Sequence, residues 1–153
     1  MLMRKTKKKG RQITRSKKVT VNGIQFASKL EAHMYSLLKK HKINVKYEGE
    51  KFVLIEGFRA DFSSYEKTPT KKYMHDRGFK NILPITYTPD FIDAHDPPRF
   101  IIECKGNPNE RFPLVWKLFK RYIHMKGWNT ELYMPRNQKD CEAVVKLIVD
   151  SLQ

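Results

Sequence analysis

The pattern of apolar and polar residues changes its period several times along this chain. Between Val19 and Phe26 it alternates with a period of two around Asn22-Gly23, a favoured pair for a two-residue hairpin turn. From Ser28 to about His41 the apolar residues recur every three to four positions, which predicts a helix. Ser28 and Glu31 have the spacing of a capping box, so this helix is expected to begin at Ser28.

Three later apolar runs predict strands. They are Lys51–Glu56, Ile85–Phe91 and Arg99–Cys104. The turn-forming residues 94–98 separate the last two runs, which predicts an antiparallel hairpin.

The C-terminal part of the chain predicts two more helices around one strand. The first helix covers roughly Glu110–Lys126 and is ended by Gly127. A strand over Trp128–Met134 follows, and Asn137 then caps a terminal helix. The predicted fold class is therefore α/β, with a mixed β-sheet led by the hairpin and flanked by helices.

The predicted hairpin brings candidate chemistry together. Side chains alternate along a strand, so Glu103 and Lys105 point to the same side, and the hairpin places Asp90 beside them. Two neighbouring carboxylates repel each other unless a positive charge lies between them, and such oxygen ligands suit Mg²⁺ or Mn²⁺. The alternative is a surface ion pair with Asp90 in a turn. The apolar run Phe100–Ile102 opposes that alternative, because it indicates a buried strand.

Three blocks of sequence carry a family resemblance. The sequence Pro89-Asp90, a second strand and then Glu-Cys-Lys is the signature of the PD-(D/E)xK nuclease superfamily. The blocks S-K-L-E (Ser28–Glu31), I-T-Y-T-P-D-F (Ile85–Phe91) and F-I-I-E-C-K-G (Phe100–Gly106) resemble the phage endonuclease-I-type Holliday junction resolvases. F-A-S-K-L-E-A-H-M-Y, from residue 26 to 35, also resembles small phage proteins that carry the same signature. The resemblance covers roughly residues 24–48 and 84–125.

This resemblance implies a restriction-endonuclease-like core and an Mg²⁺-dependent (or Mn²⁺-dependent) nuclease. Asp90 and Glu103 would hold the metal together with the Cys104 backbone carbonyl, and Glu31 would complete the site. Lys105 would orient or activate the attacking water. The alternative for Glu31 is a purely structural carboxylate that caps its own helix. The strand over Trp128–Met134 would be parallel to the Glu-x-Lys strand.

The resemblance implies further properties of the whole protein. The substrate would be branched DNA such as four-way junctions, cut by a homodimer. The protein would be phage- or mobile-element-encoded and act in the cytoplasm of a bacterial host. Glu48 is the acid nearest to a further family carboxylate, but its register is off by two. A plain turn acid before Gly49 is the alternative for Glu48.

The charge of the chain is unusual, with a net value of +15. Residues 1–18 contain nine Lys or Arg and no acid, which predicts a disordered basic tail that contacts phosphates. The predicted DNA-binding residues are Arg4, Lys5, Lys7, Lys8, Lys9 and Arg11 in the tail, and Lys117, Lys120 and Arg121 on the second helix. The alternatives are a merely solubilising tail and, in a eukaryotic protein, a nuclear-import signal. No signal peptide or membrane-spanning run is recognisable, so no membrane partner is expected.

Residues 19–153 are predicted to form a single domain with a basic-aromatic insertion at about 57–83. In the insertion, basic residues that favour phosphate contact alternate with aromatic residues that can stack on unpaired bases. A long surface loop, or an extended hairpin that packs its own aromatics, is the alternative. Cys104 and Cys141 are expected to be buried and reduced. No zinc-binding spacing is present.

Three functions remain open from the sequence. The first is a structure-selective endonuclease that acts on branched DNA. The second is a nuclease of the same fold with another substrate, such as a restriction-like, nicking, transposition or packaging enzyme. The third is a non-catalytic basic nucleic-acid-binding protein, in which Asp90, Glu103 and Lys105 would not converge.

Overall fold

A computed structural model describes residues 16–153, so the predicted tail contacts at residues 4–11 lie outside the described residues. The helices are α1 (Lys29–Lys40), α2 (Phe112–Lys126) and α3 (Gln138–Ser151). The strands are β1 (Val19–Val21), β2 (Ile24–Phe26), β3 (Val45–Tyr47), β4 (Phe52–Ile55), β5 (Phe58–Arg59), β6 (Tyr65–Thr68), β7 (Lys71–Asp76), β8 (Asn81–Ile82), β9 (Ile85–Tyr87), β10 (Phe91–Asp93), β11 (Phe100–Ile102) and β12 (Glu131–Tyr133). The fold is mixed α/β, as predicted.

A four-stranded mixed sheet with the order β12-β11-β10-β3 forms the centre. β10 and β11 are the predicted antiparallel hairpin, in which Phe91 pairs with Ile102. β12 runs parallel to β11, with α2 in the connection, as expected for the last strand. Within residues 16–153, four further pairs of strands form small two-stranded sheets.

The predicted strand over Ile85–Phe91 is divided in the structure. β9 pairs with β4, whereas β10 pairs with β11 and β3. Pro89 lies between the two pieces, and proline has no N–H to contribute to a ladder. The chain changes sheets at this point, and Asp90 lies in the junction.

Helices cover both faces of the central sheet. On one face, Phe91, Phe100 and Ile102 pack with buried side chains of α1 and α3. On the other face, Ile92 and Ile101 pack with the aromatic stripe of α2 and with the β4–β9 pair. Every residue of β10 and β11 is buried, which explains why both strands are apolar except for Asp93 at the end of β10.

The local signals at element ends are confirmed. The Ser28 hydroxyl accepts a hydrogen bond from the Glu31 N–H at the start of α1. At the start of α3, the Asn137 side chain accepts a hydrogen bond from the Asp140 N–H. Gly127 ends α2 with a φ of 64°, a conformation that a residue with a Cβ adopts at a cost. None of the helices in residues 16–153 has the length and apolar character needed to cross a membrane.

Residues 58–83 form a β-hairpin arm, which we call the arm. Its base is the pair β5–β8 and its outer part is the pair β6–β7. The arm is therefore an extended hairpin and not a structureless loop. Its aromatic side chains are exposed, so the expectation that such a hairpin would pack its own aromatics is wrong.

Gly78 is required where the arm returns towards its base. A Cβ at this position would overlap the Phe62 carbonyl oxygen. We expect Gly78→Ala to destabilise the arm by about 1–3 kcal/mol, the usual cost of forcing extra atoms into a packed site. Limited proteolysis should show faster cleavage within residues 58–83. Gly106→Ala, where an added Cβ meets nothing within 4 Å, is the control and should behave as wild type.

Candidate active site

Asp90 is held at the point where β9 passes into β10. Its Oδ2 accepts a hydrogen bond of 2.6 Å from the Cys104 N–H, just beyond the last residue of β11. Its backbone carbonyl accepts a hydrogen bond of 2.8 Å from the Glu48 N–H, next to β3. These two contacts fix the carboxylate beside the strand that carries Glu103.

Glu103 directly follows β11 and is 5% exposed. Its N–H donates to the Tyr133 carbonyl, which continues the parallel pairing with β12. The Tyr87 hydroxyl donates to Glu103 Oε2 at 2.7 Å, and Lys105 Nζ lies 3.5 Å from Oε1. Glu103 and Lys105 therefore share one side of the chain, as the alternation predicted.

The environment of the two carboxylates opposes their ionisation. Burial, together with repulsion from Glu103 and Glu31, raises the pKa of Asp90 to about 8, although the Cys104 N–H and Lys105 act in the other direction. Burial also raises the pKa of Glu103, despite its bonds to Tyr87 and Lys105. One ammonium group is not enough to compensate two neighbouring carboxylates. The site is short of positive charge.

Glu31 is buried at the start of α1, where its N–H donates to the Ser28 hydroxyl, which is the first half of the predicted capping box. Its Oε1 accepts from the Ser28 hydroxyl at 2.7 Å, and its Oε2 accepts from the Tyr47 hydroxyl at 2.7 Å. Oε2 also accepts from the Ala27 N–H at 3.1 Å. Its charge contributes to the raised pKa of Asp90, so Glu31 acts on the site electrostatically. Direct metal ligation by Glu31 stays a prediction.

Within residues 16–153, no group of three or more His, Cys, Asp or Glu side chains is arranged to hold a metal ion. A smaller donor set still suits Mg²⁺, which is commonly bound by one or two carboxylates, with waters and substrate phosphates completing the octahedron. Asp90 and Glu103 fit that description, because both offer hard oxygen atoms in a site that lacks positive charge. The Cys104 carbonyl as a third ligand stays a prediction.

Glu48 occupies an exposed turn with a φ of 44°. Its N–H donates to the Asp90 carbonyl, so its backbone positions the site. The structure therefore agrees with the turn reading of Glu48, and a ligand role for its carboxylate stays a prediction.

A cleft of about 590 Å³ adjoins the candidate site. Glu31 and Lys105 line it, together with Arg136 and the starts of α1 and α3. Arg136 donates a hydrogen bond of 3.1 Å to the Gly106 carbonyl, which ties the cleft wall to the end of the Glu-x-Lys segment. Lys117, Lys120 and Arg121 lie exposed on α2, on the predicted outer faces of that helix. Their contact with DNA stays a prediction.

Some residues of the site were missed in the sequence. Tyr87, Tyr47 and Arg136 each reach the site from a separate element, and no short motif links them to it.

Asp93 is a further residue whose role was missed in the sequence. It is buried at the end of β10 and accepts hydrogen bonds of 2.6 and 3.0 Å from the Arg99 side chain, which fastens the turn of the hairpin. Cys104 and Cys141 are buried and free, as expected.

Tyr87 is the partner that satisfies the buried Glu103 carboxylate. Tyr87→Phe removes the donor and leaves a buried acceptor, so we expect a loss of about 1–3 kcal/mol in the free energy of unfolding. Tyr122→Phe is the control, because Tyr122 also packs in the α2 cluster and is only partly buried. Chemical denaturation of both variants measures the difference. Equal stabilities would contradict the role assigned to the Tyr87 hydroxyl.

Comparison with curated proteins and with solved structures gave no match. A family model does match, and it covers residues 11–134, which include Glu31, Asp90, Glu103 and Lys105. The chain belongs to the family described as "Protein of unknown function (DUF1064)".

Proposed function

We propose that this protein is a divalent-metal-dependent DNA endonuclease with a restriction-endonuclease-like core, which hydrolyses phosphodiester bonds in branched DNA. The observation that carries the proposal is the convergence of Asp90, Glu103 and Lys105. Lys105 Nζ lies 3.5 Å from Glu103 Oε1, and the Asp90 carboxylate accepts a hydrogen bond from the N–H of Cys104, the residue between Glu103 and Lys105. A protein that only binds nucleic acid has no need to bury two repelling acids.

Asp90 and Glu103 would hold Mg²⁺ or Mn²⁺. When bound, such an ion polarises a phosphodiester and lowers the pKa of a coordinated water. The chain itself supplies orientation. The Cys104 N–H and the Tyr87 hydroxyl fix the two carboxylates, and the backbone of Glu48 fixes the turn behind Asp90.

Lys105 would serve the attacking water, and its surroundings support this role. Its side chain is partly exposed, its ammonium contacts Glu103, and Nζ lies 4.6 Å from the centroid of the Phe112 ring. This position lets Lys105 orient a water beside the carboxylates and offset negative charge that develops on the phosphate.

The choice of branched DNA rests on the similarity to the junction resolvases, as does action as a homodimer, because resolving a junction takes two paired cuts. A second candidate is a nuclease of the same fold with a different substrate. The arm favours this candidate, because it is an addition that the resolvase-like blocks do not include.

A panel of DNA substrates tests the proposal. Wild-type protein with Mg²⁺ is incubated with a four-way junction, a splayed fork, a linear duplex and a single strand. Paired cuts confined to branched substrates are expected. Equal cutting of linear duplex would move the assignment to the second candidate. Tight binding without cutting of any substrate would contradict the nuclease proposal.

A further inference from the structure

The arm exposes more apolar surface than a solvated hairpin requires. Its exposed apolar side chains are Phe58, Phe62, Tyr65, Tyr73, Met74, Phe79, Ile82 and Leu83. None of them belongs to either core cluster. Exposed apolar groups concentrated in one element mark an interaction site.

The arm is a hairpin stabilised by specific hydrogen bonds, despite its exposed apolar side chains. Asp76 fastens its neck, since Oδ2 accepts from the Ser63 hydroxyl at 2.8 Å and Oδ1 accepts from the N–H groups of Ser64 and Gly78 at 2.9 and 2.7 Å. Gly78 lets the returning strand approach Phe62 closely. An isolated two-stranded hairpin is marginally stable, so these contacts stabilise the backbone that carries the aromatic residues.

The charge of the arm is complementary to a polyanion. Residues 58–83 contain six Lys or Arg and three Asp or Glu. Two of the three acids are engaged locally, Asp76 in the neck and Glu66 with Ser64 and Arg77. The basic side chains therefore dominate the surface that the arm presents.

One face of β7 combines both properties. Lys71 Nζ lies 6.0 Å from the centroid of the Tyr73 ring, and the Tyr73 and His75 rings are 5.9 Å apart. These three side chains thus form a row, with the Lys71 ammonium first, the exposed Tyr73 ring next and the His75 ring last. We call it the Tyr73 face. Tyr65 pairs with Asp76, so it lies on the opposite face of the arm.

We propose that the Tyr73 face binds unpaired nucleotides of DNA, with the Tyr73 ring stacked on a base and Lys71 near the backbone phosphate. This inference deepens the proposed function, on which its choice of DNA rests. Aromatic rings interleaved with basic residues are how proteins hold single strands without reading sequence. A protein partner fits less well, because the centres of protein interfaces are depleted of lysine. Lysines that only protect an edge strand from aggregation would not require exposed rings beside them.

The test measures binding and needs no cleavage. Full-length protein in EDTA is titrated into a splayed fork with unpaired arms and into a fully paired duplex of the same length. The variants are Tyr73→Ala, Tyr73→Phe and the control Tyr65→Ala, whose ring is as exposed, at 64% against 62% for Tyr73. The same fork with RNA arms distinguishes a DNA partner from an RNA partner.

Tyr73→Ala should weaken fork binding at least about fivefold, the lower end of what one stacked base contributes, and change duplex binding less than twofold. Tyr73→Phe and Tyr65→Ala should bind both DNAs as wild type does. The proposal is overturned by an unchanged fork affinity, by equal losses on fork and duplex, or by a preference for the RNA arms. Dissociation of a dimer by Tyr73→Ala, with fork binding retained, would assign the face to a second copy of the chain. Because binding is measured in EDTA, without metal or cleavage, the experiment tests the Tyr73 face even if the protein proves not to be a nuclease.

Discussion

Lys105→Ala is expected to reduce the rate of Mg²⁺-dependent DNA cleavage at least about a hundredfold, which is the lower range for losing a positioned acid–base group. Affinity for the same DNA should change less than about threefold, because one ammonium is a small part of a basic protein's contacts with phosphate. Single-turnover cleavage and binding isotherms on one substrate measure the two effects separately.

Two further variants sharpen this prediction. Lys105→Arg keeps the charge next to Glu103 but cannot activate a water, so a rate as low as that of Lys105→Ala would assign proton transfer rather than charge to the residue. Lys146→Ala removes an exposed lysine on α3 that is not among the predicted DNA-binding residues, and it is the control for charge loss. A parallel collapse of affinity and rate in Lys105→Ala would make Lys105 a binding residue.

Asp90→Asn is expected to stabilise the metal-free protein at pH 8 by about 1–4 kcal/mol. The asparagine oxygen can still accept from the Cys104 N–H, while the repulsion with Glu103 disappears. The sign follows from proton linkage. The pKa of Asp90 is raised by folding to about 8 from an unfolded value near 4, so the folded state binds more protons. Wild-type stability should therefore fall as pH rises from about 4 through about 8, and the variant, in which only the raised pKa of Glu103 remains, should show a smaller fall.

Thermal unfolding at pH 5 and pH 8, in EDTA and separately in EDTA-free buffer with Mg²⁺, measures this prediction. Mg²⁺ should raise the wild-type midpoint at pH 8 and leave that of Asp90→Asn unchanged, because a ligand stabilises only the state that binds it. Asp150→Asn, the same change at an exposed position of α3, is the matched control. A variant less stable than wild type in EDTA at pH 8 would show that Asp90 and Glu103 do not repel each other in the folded protein.

Local sequence signals predicted the central elements well. The run Phe100–Ile102 could be identified as a buried strand because it contains no polar residue. The structure explains this composition, since helices cover both faces of the sheet at this strand. The start of α1 could be predicted because Ser28 and Glu31 satisfy each other within one turn. The hairpin brought Asp90 to Glu103 because only a short turn separates their strands.

Contacts between distant elements could not be predicted in this way. Tyr87 reaches Glu103 only because Pro89 divides the strand and β9 joins a different sheet. Arg136 enters the cleft from the loop before α3, which carries no signal for that position. The arm mixes charged and aromatic residues without a clear period, so its pairing depends on non-local contacts such as those of Asp76.

The most direct test of the central claim is Mg²⁺-dependent cleavage of a four-way junction by wild type, Asp90→Asn, Glu103→Gln and the control Asp150→Asn under single-turnover conditions. Loss of a ligand that supports several kcal/mol of charge stabilisation should slow the two site variants by at least about a hundredfold. Wild type and Asp150→Asn should cut at the same rate, and EDTA should stop both. Cutting by Asp90→Asn at the wild-type rate, or no cutting by folded wild-type protein that binds the junction, would contradict the assignment of Asp90 and Glu103 to a catalytic metal site.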